Sequence, residues 1–175
     1  MSGASRAKSI WMAGAITGVL LVAATASAQK ITTDWDKTAT FTGFQTYSLV
    51  RGQLPANANP LMVQRLESGI ASELAALGLL KADKGGDLTV AYHAATREDV
   101  SLQSWGYAPR FGGGQIDVNH VVTGSVIIDV IDTKGEKLLW RSTASDTVSD
   151  NPQKNEKKIQ KAVEKMFEKF PTASK

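Results

Sequence analysis

Apolar positions along this chain recur every second residue in some stretches and every third or fourth in others, and each change of period marks an element. Between Lys30 and Asp36, Ile31, Thr33 and Trp35 alternate with Thr32, Asp34 and Asp36, and Phe44 to Val50 repeats the alternation. Both read as strands, expected to form an antiparallel pair or to lie as neighbours. From Asn59-Pro60 the period lengthens: Met62, Leu66, Ile70, Leu74 and Leu77 stand three or four apart. A capping Asn before a first-turn Pro starts such a helix, and Gly78 suits the left-handed residue that ends it. After the turn Asp83-Lys84-Gly85-Gly86, Leu88, Val90, Tyr92 and Ala94 alternate with Asp87, Thr89, Ala91 and His93 as a further strand. A second Asn-Pro start, Asn151-Pro152, leads a stripe of Ile159, Ala162, Val163, Met166, Phe167 and Phe170, which Pro171 stops.

Residues 124–144 read as a hairpin, with Gly135 taking the positive-φ position of a three-residue loop. Placing Asp132 opposite Glu136 sets Val130 against Leu138, Ile128 against Trp140 and Val126 against Ser142. Trp140 then lies on the more apolar face. Arg141 lies on the other face with Leu139, across from Ile127 and diagonal to Asp129, so that its ion pair with Asp129 is expected to be modest.

Residues 97–117 show no convincing period, and a connection of that length is expected to be a functional or disordered loop. It carries Trp105, Tyr107 and Phe111 among glycines. Aromatic side chains on such a loop suit contact with glycan, peptide or a partner protein. The plainer expectation is a cover over Ile127, Ile131 and Leu139. Together, Trp105, Tyr107, Phe111, Ile127, Asp129 and Arg141 form the candidate partner-contact surface. The tally is about five strands and two amphipathic helices whose stripes need a sheet face to bury against, an α+β arrangement.

The first 28 residues change the meaning of the composition. Arg6 and Lys8 precede an apolar run that ends in Ala26-Ser27-Ala28, the pattern of a secretory signal peptide cleaved after Ala28. Residues 29–175 are then expected to form one periplasmic domain. Arg6 and Lys8 supply two of the three net positive charges, so the rest of the chain carries no electrostatic footprint for nucleic acid. The chain has no Cys, which removes disulfides, thiolate nucleophiles and a lipid attachment site, and its two His residues are too few for a histidine-rich metal cage. His93 and His120 read as strand residues, Gly112-Gly113-Gly114 as a loop tip without a P-loop ending, and Asp34 with Asp36 as acids at a strand end. No catalytic, cofactor-binding or metal-binding residue is expected.

The order of several short motifs resembles the DUF4136 family of bacterial envelope proteins. They are Thr33-Asp34-Trp35-Asp36, Phe41-Thr42-Gly43-Phe44-Gln45-Thr46-Tyr47, Leu77-Gly78, Asp87-Leu88-Thr89-Val90, Gly124 with the Ile-Asp-Val strand, Leu139-Trp140-Arg141 and Phe170-Pro171. The resemblance implies a mainly antiparallel sheet with two helices packed on one face, and a cell-envelope protein of unknown function. Many members look like lipoproteins with a Cys after the signal, which this chain lacks. The expected role is a non-enzymatic binding or structural accessory protein whose partner is an envelope protein, glycan or lipid. The alternatives are an envelope hydrolase with an unrecognised site, and peripheral membrane contact through Lys157, Lys161, Lys165 and Lys169 of the last helix.

Overall fold

The computed structural model describes residues 29–105 and 115–171. The signal-like segment, Tyr107, Phe111 and the Gly112-Gly113-Gly114 run lie outside the described residues. Six strands form one sheet: β1 Lys30–Trp35, β2 Thr46–Arg51, β3 Leu80–Lys81, β4 Leu88–Trp105, β5 Gln115–Asp132 and β6 Lys137–Thr147. The helices are α1 Pro60–Ala76 and α2 Pro152–Phe167, and the strand order is β1-β6-β5-β4-β2-β3. The α+β class holds, with six strands rather than five. β1, β6, β5 and β4 are antiparallel; β2 joins β4 and β3 in parallel.

β1 and β2 are therefore not partners. β1 pairs with β6 at one edge, while β2 lies beyond β4 because α1 carries the chain back across the sheet to parallel β3, a connection that needs a crossover helix. Both helices begin as their sequences dictate. Asn59 accepts from the Leu61 N–H and Asn151 from the Lys154 N–H, each ahead of a Pro. Gly78 ends the α1 region at φ +84. Both apolar stripes bury against one sheet face: Leu66, Ile70, Leu74, Val163, Met166 and Phe167 meet Val90, Tyr92, Ile128, Val130 and Trp140 in a single core.

The β5–β6 hairpin departs twice from the expected register. The turn closes between Asp132 and Lys137, with the positive φ at Glu136 (49°) rather than at Gly135. The Asp132 carboxylate accepts from the Lys134 and Gly135 N–H groups, and a Cβ on Gly135 would lie 2.6 Å from Asp132 Oδ2, so close approach is what requires glycine there. A bulge then leaves Leu139 between the pairs Ile131↔Leu138 and Val130↔Trp140. Two one-residue shifts restore the original faces past the bulge, so Trp140 is still fully buried and Arg141 still faces away from the helices. Between the shifts the faces invert: Leu139 is buried and Leu138 is exposed, the reverse of expectation.

The supposed loop is largely strand. β4 and β5 pair without a break from Leu88↔Asp132 to Trp105↔Gln115, whereas β6 stops at Thr147↔Thr123 and β2 at Arg51↔Tyr92. Beyond those points the pair continues as a two-stranded ribbon with no helix-covered face. Arg97, Glu98, Val100, His120 and Val121 on it are exposed. With Arg97, Glu98 and Val100 exposed, nothing imposes period-two alternation on positions 97–100.

Carboxylates fasten the sheet's edges. Asp87 Oδ2 accepts from the Gln45 and Thr46 N–H groups and the Thr46 hydroxyl, Asp36 pairs with Lys137 and accepts from Thr38, and Glu67 of α1 accepts from the Tyr92 hydroxyl and from Arg51 Nη2 at 2.8 Å. Donation from Lys137 holds Asp36 well below the ordinary carboxylate range, backbone N–H groups lower Asp87, and the Tyr92 hydroxyl lowers Glu67. A depressed folded-state pKa means that the unfolded chain binds protons first as pH falls. The stabilisation is complete above the ordinary carboxylate range near pH ~4 and is lost as pH drops through the lowered values. Urea midpoints are expected to fall steadily from pH 5 to pH 2, and a flat profile would contradict these attachments.

Candidate functional site

On the helix-covered face, the bulkiest side chain of each central strand, Tyr92 on β4, Ile128 on β5 and Trp140 on β6, gives way to smaller ones toward one end of the sheet. β4 reads Leu88, Val90, Tyr92, Ala94, Thr96; the paired positions of β5 read Val130, Ile128, Val126, Gly124; β6 reads Trp140, Ser142, Ala144, Asp146. The α2 stripe tapers likewise toward its start, from Phe167 to Ile159 and Asn155. At the wide end Trp140 packs against Phe167 and Phe170 with ring centroids 5.3 and 5.2 Å away. At the narrow end nothing of that size separates sheet from helices, and a cleft of about 360 Å3 opens.

Its walls are Leu54, Met62, Val63, Leu66, Ile159 and Ala162, and the sheet supplies its floor through Ala94, Gly124, Val126 and Ala144. Both helix starts, Asn59 and Pro152, stand at the cleft. The principal charges of the lining answer each other: Lys158 Nζ donates to Asp146 Oδ1 (3.0 Å), the Thr147 carbonyl (2.7 Å) and the Thr147 hydroxyl (3.1 Å). Gln29 also lines the cleft and donates to the Lys158 carbonyl at 2.9 Å. The volume and the apolar walls with few polar groups are those of a small-molecule site. Sequence reading missed it, although the succession of small residues at floor positions was a legible signal. A groove of about 430 Å3 between the helices is lined mainly by polar side chains, including Gln64, Arg65, Ser68 and Glu73.

The opposite sheet face brings Ile127, Asp129 and Arg141 together. The shifted register sets Arg141 directly across from Asp129, and the guanidinium grips the carboxylate with both nitrogens, Nε–Oδ1 2.5 Å and Nη2–Oδ2 2.7 Å. Asp129 is only 4 % exposed, so this is a bidentate pair on a buried carboxylate rather than the modest diagonal contact expected from the sequence. Its donation raises the Arg141 pKa further. Trp105 is the last residue of β4, opposite Gln115 in the backbone register.

Neither histidine stands alone. His120 Nδ1 lies 3.0 Å from Glu98 Oε1 on the ribbon, and His93 Nε2 lies 3.8 Å from Asp129 Oδ2. The Gln53 N–H donates to His93 Nδ1 at 3.0 Å, and the ring lies against Gly52, where an added Cβ would strike it. One nitrogen thus ties down the chain leaving β2 while the other faces an acid already held by Arg141. Asp34 Oδ1 accepts from the Trp35 N–H, and Asp36 is held by Lys137, so these two acids serve local structure separately. Among the described residues no cluster of three metal-ligating side chains occurs, and no helix is long and apolar enough to cross a membrane.

Residues 31–172 match the family described as Domain of unknown function (DUF4136). The chain belongs to the DUF4136 family. A search of curated proteins finds no significant match for this DUF4136 protein. Among solved structures, it resembles a PDZ domain protein from Parabacteroides distasonis with a TM-score of 0.53 and 14 % identity, over 84 % of this chain and 37 % of that one. The chain thus spans little more than a third of that protein, and the likeness is one of fold. Other similar structures are the PelC dodecamer from Paraburkholderia phytofirmans (TM-score 0.49, 13 % identity, 79 % and 94 % of the two chains) and lipoprotein GNA1162 from Neisseria meningitidis (0.39, 11 %, 70 % and 97 %).

Proposed function

We propose that this DUF4136 protein is a non-enzymatic binding component of the bacterial envelope and that the tapered cleft is its binding site. The single observation that carries the reading is the cleft itself, an opening of about 360 Å3 with aliphatic walls continuous with the core. A packed domain ordinarily fills such space, because apolar voids forfeit dispersion contacts. Here small residues on three adjacent strands keep it open together. The export-signal pattern of residues 1–28 supports the envelope assignment. The non-enzymatic reading is supported by the engagement of His93 and Asp129 in the fold, which leaves neither aimed at the cleft as an acid or base.

The test is a titration of the full chain with the apolar probe N-phenyl-1-naphthylamine, followed by methyl NMR. Saturable shifts are expected at Leu54, Val63, Val126 and Ile159 of the cleft, with Ile127, Ile131 and Leu138 of the opposite face unmoved. Shifts confined to the opposite face, or none at all, would contradict the proposal.

A further inference from the structure

We infer that the cleft takes a single unbranched acyl chain of about a dozen carbons, with its anionic head at the two helix starts; this rests on the cleft being the binding site. Three observations select that ligand class. The first is the character of the walls. No aromatic side chain lines the cleft among the described residues; the core's clustered rings, Phe41, Trp140, Phe167 and Phe170, lie at the other end. Sugars and planar ligands are held by stacking on rings, which this lining does not offer, whereas Leu, Val, Ile, Met and Ala surfaces pack against methylenes.

The second is volume. A methylene occupies about the 30 Å3 of a water molecule, so a cleft of about 360 Å3 has room for a chain of about a dozen carbons.

The third is charge at the mouth. Both helices begin there, and neither has an acidic residue in its first turn, so two positive dipole ends converge without a compensating side chain from their own helices. Asp146, the acid in the lining, is neutralised by Lys158. A carboxylate or phosphate head gains from this field, and a cationic head loses.

The experiment is competition against N-phenyl-1-naphthylamine on the full chain with three ligands of equal tail: dodecanoate, dodecanol and dodecyltrimethylammonium. Dodecanoate is expected to displace the probe at concentrations at least tenfold lower than dodecyltrimethylammonium, with dodecanol between them. Ala94→Phe, which places a ring on the floor, is expected to weaken dodecanoate at least tenfold; Ala58→Trp at the mouth gives the same result if Ala94→Phe lowers thermal stability. Failure of every alkyl ligand to displace a probe that does bind the cleft overturns the acyl assignment and leaves the binding site standing. Equal affinity for the anionic and cationic ligands overturns the placement of the head. No saturable binding by either probe or ligand removes the binding-site reading itself.

Discussion

Trp140→Ala is expected to lower the stability of the fold by about 3 to 5 kcal/mol, the range for removing a fully buried Trp. The indole has no exposed surface, lies across from Val130 on β5 and Trp35 on β1, and packs against Phe167 and Phe170 of the α2 region. Its removal deletes the wide end of the wedge on which the taper depends and leaves a cavity that the flanking strands cannot close without breaking their ladder. At about 2 to 4 °C per kcal/mol for a domain of this size, thermal unfolding is expected to move down by roughly 10 °C. A shift of only a degree or two would mean that the ring is not the keystone of this core. The cleft lies at the other end of the sheet, so probe affinity measured well below the new transition is expected to change little.

Arg141→Ala is expected to cost about 2 to 3 kcal/mol, although a residue on the uncovered sheet face would ordinarily be dispensable. The loss arises on Asp129. Removing the guanidinium takes both charge-assisted hydrogen bonds from a carboxylate that is 4 % exposed and leaves it facing His93 Nε2 at 3.8 Å, beyond hydrogen-bond reach. Breaking one side of a fully buried pair typically costs about 3 to 5 kcal/mol; the Arg141 side chain is about half exposed, so water offsets part of that loss. Replacing both residues by Val is expected to recover most of the stability, because the penalty belongs to the stranded charge. Chemical denaturation of the two variants decides the matter. A single variant as stable as the parent would return Arg141 to the weak diagonal contact read from the sequence.

The contrast between these residues shows what the chain made legible. Trp140 was placed correctly because the errors at the turn and at the Leu139 bulge add to two residues, which conserves the face. The ion pair of Arg141 with Asp129 was read as a modest diagonal contact because the same two shifts move the residue directly opposite from Ile127 to Asp129. A bulge has no sequence signature in Lys-Leu-Leu-Trp; it is fixed by the packing of Leu139 on the core side. The helices were readable to the residue at their starts, since Asn-Pro caps and three-four stripes act locally. The place of β2 was not, because a parallel neighbour is chosen by the α1 crossover rather than by its own alternation. Positions 97–100 lost their strand signal for a different reason: Arg97, Glu98 and Val100 are exposed, so no burial patterns them. Of the contact surface expected around Trp105, Tyr107 and Phe111, Tyr107 and Phe111 lie outside the described residues. The small residues Ala94, Gly124 and Ala144 stand openly in the sequence, but their places on the cleft floor, Ala94 and Ala144 on either side of Val126 and Gly124 between Thr96 and Asp146, require the register.

The central claim is that the cleft over Ala94, Gly124 and Ala144 is a binding site. The most direct measurement is N-phenyl-1-naphthylamine fluorescence titrated into the full chain and into Ala94→Phe, with the thermal transitions of both recorded alongside. Saturable binding by the parent and at least tenfold weaker binding by the variant, at an unchanged or raised transition temperature, is the predicted result. Equal binding by the two proteins would contradict the account.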